Sequence, residues 1–232
     1  MIMWIELFLC LLLAHLIADF VLQTSKSCDR KREYKWRSGY HYCHAAIVFA
    51  LSWLASWDFG FWWCALTIGV SHCVIDIWKS YRDDNVEWFV VDQVLHIAII
   101  TCTAVLWCSN VEWSIPFGIE SKYIVLAVAV IICWKPANIF IKLMLKHYSV
   151  NVPDAHSDSG FNTGALIGNI ERWLILVFVI MQRYEALGLL IAAKSIIRFG
   201  EKETTKTEYV LAGTLMSIFI AVLTGLMVIN TV

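Results

Sequence analysis

The chain is 232 residues long, with 59% hydrophobic and 16% charged residues and a mean hydropathy of +0.67. Soluble domains run at about 45–50% and about 25%, so an ordinary water-soluble globule is excluded, and twelve Trp, twelve Phe and eight Tyr exclude a disordered chain. A net charge of −1 supplies no basic field for nucleic acid, and no such partner is expected. What remains is an all-α, polytopic membrane protein with lipids as its surroundings.

A helix crosses the hydrocarbon core with about 20 apolar residues. Eight such runs are predicted, at roughly 2–22, 40–57, 60–79, 87–108, 122–145, 165–182, 185–199 and 208–230. They make one integral-membrane domain over 1–232, with His/Asp-bearing helices in 1–108 and further helices in 122–232. The first run follows Met1 to Glu6 without the positive region of a secretory signal, and it carries His15 and Asp19, so it is read as a retained span. The seventh is short and carries Lys194 and Arg198. The eight Cys include no C-x-x-C pair and lie mostly in apolar runs, so neither a disulfide framework nor a Cys-based zinc site is expected.

Loop charge sets the orientation. Lys26, Arg30, Lys31, Arg32, Lys35 and Arg37 place segment 24–39 in the cytoplasm, and Lys79, Arg82, Lys142, Lys146, Lys202 and Lys206 continue the alternation. Both termini then lie outside. Arg183 falls in an outer turn, where Glu185 offsets it.

Ionisable residues inside membrane helices are costly and mark functional sites by default. Here they are patterned as His15-x-x-x-Asp19, His72-x-x-x-Asp76 and Asp92-x-x-x-His96, with His41 and His44 on the second run. Residues four apart share one helical face. The first and third runs carry their pairs late and the second and fourth carry theirs early, so with alternating direction all fall in the cytoplasmic half. An Asp at mid-membrane costs about 3 kcal/mol on insertion scales, and a bound divalent cation offsets that cost. Imidazole with carboxylate suits Zn best, with Mn or Fe possible. The predicted metal set is His15, Asp19, His44, His72, Asp76, Asp92 and His96, serving one metal or two, with Asp19 and Asp92 as general-base candidates. A proton-conducting or purely structural His–Asp network is the alternative.

In the C-terminal half, Asn162 or Thr163 can cap a helix, and Gly164 and Gly168 form a small-x-x-x-small face. Arg172, Lys194 and Arg198 are either partners of Glu171 and Glu208 or, with Lys79, cations for an anionic substrate.

His15-Leu16-Ile17-Ala18-Asp19-Phe20-Val21-Leu22-Gln23 resembles the opening signature of an uncharacterised bacterial membrane family, domain of unknown function 3307. Also matching it are His44, Ser71 to Asp76 with Lys79, Asp92 to His96, Ile167 to Arg172, Lys194 to Phe199, and Glu208-Tyr209 with Gly213 to Leu215. The resemblance implies a multi-pass protein of the bacterial cytoplasmic membrane and supplies no activity. More loosely, the His/Asp pattern resembles that of membrane-bound metal-dependent hydrolases. The expected function is metal-dependent hydrolysis of an anionic lipid-type substrate from the cytoplasmic leaflet. A metal-ion or proton-coupled transporter, or a membrane sensor or partner protein, are the alternatives.

Overall fold

The computed structural model describes residues 3–116, 119–148, 163–198 and 204–231, with side chains for all of these except 163, 197, 198 and 204–210. Among them there are helices and no strand. In chain order these are α1 (Met3–Leu16), running into a π-helical turn (Ile17–Leu22), α2 (Ser25–Tyr34), α3 (Gly39–Ser56), α4 (Trp62–Lys79), α5 (Val86–Cys108), α6 (Ser121–Ile132), α7 (Lys135–His147), α8 (Thr163–Ile180), α9 (Tyr184–Arg198) and α10 (Thr204–Thr231). His156, Asn162 and Lys202 lie outside the described residues.

Among the described residues five helical stretches are long and apolar enough to cross a membrane: Met3–Leu22, Phe59–Lys79, Val86–Cys108, Ser121–His147 and Leu211–Thr231. They make this a membrane protein. Eight runs were predicted; α3, α8 and α9 occupy the remaining three and are not among the five. In α3 the polar start Tyr40, His41, Tyr42 and His44 dilutes the apolar run, and α9 has only 15 residues.

The chain divides into two compact units, Met1–Val128 and Ala129–Val232. In the first, α1 packs on α3 and α5, and α4 packs on α3 and α5, so the four helices close a ring. One end is filled by Leu7, Leu11, Val48, Phe61, Ala65, Ile100, Ala104 and Trp113, all buried. The Trp113 indole Nε1 donates to the Ser56 carbonyl at 2.7 Å and closes that end. The other end holds the polar side chains.

Gly69 sets how closely α3 and α4 approach. A Cβ there would lie 3.0 Å from the Phe49 Cβ and 3.2 Å from the Ala45 carbonyl oxygen. Ala45 adjoins His44, and His72 lies three residues beyond Gly69, so this contact governs the spacing of two imidazoles.

Two local features depart from the sequence reading. The first span ends in a π-helical turn, with the Gln23 N–H bonded back to the Ala18 carbonyl at 3.2 Å. Such turns occur in single pieces, often at functional sites, and Asp19 lies in this one. Segment 24–39 was predicted as a loop, yet it forms α2, opened by Thr24, whose hydroxyl accepts from the Ser27 N–H at 3.3 Å.

The run predicted at 122–145 is broken between α6 and α7. Pro136 lacks an N–H and cannot continue the helix behind it, so α7 restarts with Pro in its first turn. The carbonyl freed at Cys133 accepts from Arg172 Nε at 2.7 Å. The buried guanidinium also donates to Ser217 at 3.1 Å, Asn138 at 2.5 Å and Asn169 at 2.7 Å. It thus sits at the negative end of the α6 dipole, which offsets part of its charge. Gly168 serves this arrangement: a Cβ there would lie 3.3 Å from Arg172 Nη1. Its role is room for a guanidinium on its own helix, in place of the helix–helix face read from the sequence. The close approach of α8 and α10 comes at Gly225, where a Cβ would fall 2.7 Å from Val179 Cγ1.

Two stability outcomes follow. Gly69→Val overpacks α3 against α4 and is expected to cost about 1–3 kcal/mol, read as a lower thermal midpoint in detergent. Arg172→Leu removes the donor from the Cys133 carbonyl, Asn138 Oδ1 and Ser217, while Asn169 keeps the Asn138 amide, and is expected to cost about 1–3 kcal/mol in the same assay; an unchanged midpoint would contradict the role given to either residue.

Candidate metal centre

The polar end of the first unit gathers side chains from five elements. The π turn supplies Asp19, with His15 one turn before it on α1; α3 supplies His44, α4 supplies His72 and Asp76, and α5 supplies Asp92 and His96. Each His–Asp pair at i, i+4 stays together, with Nδ1 to Oδ1 at 3.8 Å for His15 and Asp19 and 3.7 Å for His96 and Asp92. The imidazoles pack on one another, with ring centroids 4.9 Å apart for His44 and His72, 4.0 Å for His72 and His96 and 5.1 Å for His15 and His96. His15, His44, His72, Asp92 and His96 are all buried.

Three atoms form a near-equilateral triangle. His44 Nε2 lies 3.0 Å from His72 Nε2 and 3.1 Å from Asp19 Oδ1, and His72 Nε2 lies 3.3 Å from the same oxygen. Ligand atoms about 2.0–2.1 Å from a tetrahedral zinc are themselves about 3.3 Å apart. The triangle therefore has the size of one face of such a shell. His15 Nδ1 joins the same group with Asp19 and His72, and it is buried with no hydrogen-bond partner among the described residues.

The proton on His15 follows from its neighbour. Asp92 Oδ2 can only accept, so the Gln93 group at 3.0 Å from it is the amide nitrogen. The Gln93 oxygen then faces His15 Nε2 at 3.4 Å and can only accept. Nε2 therefore carries the hydrogen and Nδ1 carries a lone pair facing Asp19. An outer partner that fixes ring and tautomer in this way is the usual companion of a metal-bound histidine.

Charge is distributed unevenly. Lys31 of α2 pairs with Asp76, and Lys79 pairs with Asp92. Among the described residues the ion-pair partners of Asp19 are three imidazoles, with no Lys or Arg. Two lysines thus serve two carboxylates, and the third is left to the histidines. Burial pushes the Cys28 thiol of α2 up.

The seven residues read as metal ligands are therefore brought together. Lys79 reaches the same place, paired with Asp92. The other three cations grouped with it are placed otherwise: Arg172 is buried on neutral acceptors, Lys194 is paired with Glu171, and the Arg198 side chain is outside the described residues. His41 is buried. Two residues of the site escaped the sequence reading. Lys31 looked like one of six loop charges, and its only distinguishing signal is that a helix would carry it inward. Gln93 adjoins Asp92 and could have been found as a polar residue in an apolar run.

The fold and this cluster define a class: a membrane helical protein with a buried His/Asp group at one end of a four-helix ring. Residues 7–126 match the family described as "Protein of unknown function (DUF3307)", just over half of the chain. The chain belongs to that family. The matched segment covers nearly all of the first unit and every cluster residue, while Ile167 to Arg172 and the later stretches resembling the family lie beyond it. No curated protein and no solved structure matches the chain.

A tautomer experiment checks the geometry. With 15N-labelled imidazoles in metal-free protein, the His15 signal, assigned by its loss in His15→Gln, is expected to be the Nε2–H form. Gln93→Leu should convert it to a mixture; a mixture already present in the unaltered protein would contradict the network.

Proposed function

We propose that the protein holds one divalent transition metal, zinc first and manganese or iron as alternatives, on Asp19, His44 and His72 with His15 beside them. The observation that carries this is the triangle of His44 Nε2, His72 Nε2 and Asp19 Oδ1 with edges of 3.0–3.3 Å. Two imidazole nitrogens aimed at each other and at one carboxylate oxygen need a shared cation. A proton can serve one such contact, whereas a metal serves all three. Desolvation favours the same answer, because a carboxylate within the membrane costs about 3 kcal/mol and Asp19 has no lysine or arginine beside it.

The reaction we assign is hydrolysis of an anionic lipid-type substrate reached from the cytoplasmic leaflet of the bacterial inner membrane, the placement that loop charge supports. A metal with three protein ligands lowers the pKa of a bound water to about 7. Asp92 has one oxygen, Oδ1, with no hydrogen-bond partner among the described residues, while its other is held by Lys79 and Gln93. That free oxygen is suited to accept a proton. Lys79, with 32% of its side chain exposed, is the first cation such a headgroup would meet.

Cation transport is the second reading, because the same buried His/Asp group that would hold a resident metal would equally hold a cation in transit. Uptake into proteoliposomes abolished by Asp76→Asn would select it.

Protein purified in detergent without chelator is expected to carry one transition metal per chain, and His72→Ala to lower its affinity at least 100-fold. Vesicles of anionic phospholipid are expected to release a water-soluble product only with the metal-loaded protein. If the unaltered protein has no transition metal and gains none on titration, the proposal fails.

A further inference from the structure

Beside the Asp19 group lies a second set of donors. Asp76, Asp92 and His96 each offer one atom within 4.8 Å of the others'. His96 is 3% exposed, and neither of its ring nitrogens has a hydrogen-bond partner among the described residues. Asp92 Oδ1 is likewise buried and without a partner. A neutral imidazole carries one lone pair and one N–H, so His96 offers one buried acceptor, and Asp92 Oδ1, 3.7 Å from its Nδ1 and beyond hydrogen-bond distance, is a second. Two carboxylates and an imidazole in this arrangement suit a divalent cation.

This place already contains positive charge. Lys31 reaches Asp76 from α2 and Lys79 reaches Asp92 from α4. Lys31 is the one buried residue of α2, a helix otherwise made of polar and charged side chains. Arg32 on Asp84 at 2.6 Å, and Lys35 just past α2 on the Ser80 carbonyl, also tie this segment here. A long ammonium side chain is a strongly hydrated point charge, and burying one is costly unless a carboxylate receives it. Two are brought here, one to each carboxylate, and none to Asp19.

We propose that Asp76, Asp92 and His96 form a second cation position which the protein fills with its own ammonium groups, Lys31 and Lys79, so that the cluster binds one metal ion and not two. The inference rests on the metal reading at Asp19 and adds to it the stoichiometry and the role of both lysines. Charge fixes the arithmetic. With two lysines on two carboxylates, a second divalent ion would leave the group over-charged. With the lysines replaced by neutral side chains, the same ion restores the balance and finds His96 and Asp92 Oδ1 ready as ligands.

The test is metal stoichiometry by elemental analysis after equilibration with zinc, and separately with manganese, followed by removal of free ion. One ion per chain is expected in the unaltered protein. Lys31→Met with Lys79→Met is expected to bind two, the second lost again when His96→Gln is added. Lys31→Met with Asp76→Asn removes charge and counter-charge together and is expected to return to one. Two ions in the unaltered protein would overturn the inference while leaving the Asp19 reading intact; so would a single ion in the double lysine variant. No ion at all in the unaltered protein would overturn the Asp19 reading and this one with it. Should the double variant fail to fold, the unaltered stoichiometry and Lys79→Met alone, expected to gain a weaker second ion, still decide the matter.

Discussion

A single carboxylate at the end of the first candidate span, Asp19, surrounded by His15, His44 and His72 and paired with no lysine or arginine among the described residues, is the constraint to which the rest of the first unit answers. Water cannot solvate it there, and hydrocarbon offers nothing in exchange. Every other charge near it is arranged as a neutral pair. The helices that meet around it come from four places in the chain, so their convergence is a property of the tertiary fold and of no local motif.

Small details of the backbone make that convergence possible. The π-helical turn carries Asp19 at the end of the first span, and Gly69 lets α3 and α4 approach until His44 and His72 are 3.0 Å apart at Nε2. Outside this inner group, Gln93 passes the orientation imposed by Asp92 to the ring of His15. The apolar end of the ring, with Leu7, Leu11, Phe61 and Ala104 packed at full burial, holds the helices so that the polar end need not supply stability of its own. The second unit solves a different polar problem: a proline break exposes a carbonyl, and a buried guanidinium closes it with the help of two asparagines and a serine.

Much of this was legible in the sequence because membrane helices obey few rules. The i, i+4 spacing of His15 with Asp19, His72 with Asp76 and Asp92 with His96 fixes which side chains share a face, and alternation of helix direction, expected from loop charge, led to one common level for them. What stayed hidden depended on distance across the fold. Nothing in segment 24–39 separates Lys31 from its five basic neighbours until α2 folds it onto Asp76. Arg172 read as an available cation because its acceptors, Cys133, Asn138 and Ser217, lie on other helices. The π turn left no mark, since a wider turn changes hydrogen bonding without changing residue type. Pro136 did mark the break after α6, but a long apolar run masks a single proline.

X-ray absorption at the zinc edge of the metal-loaded protein tests the central claim most directly. The account predicts a four-coordinate shell of nitrogen and oxygen at about 2.0–2.1 Å, with outer scattering from at least two imidazoles that diminishes when His44 is replaced by glutamine. A shell containing sulfur, or a six-coordinate shell of water oxygens without imidazole scattering, would contradict it.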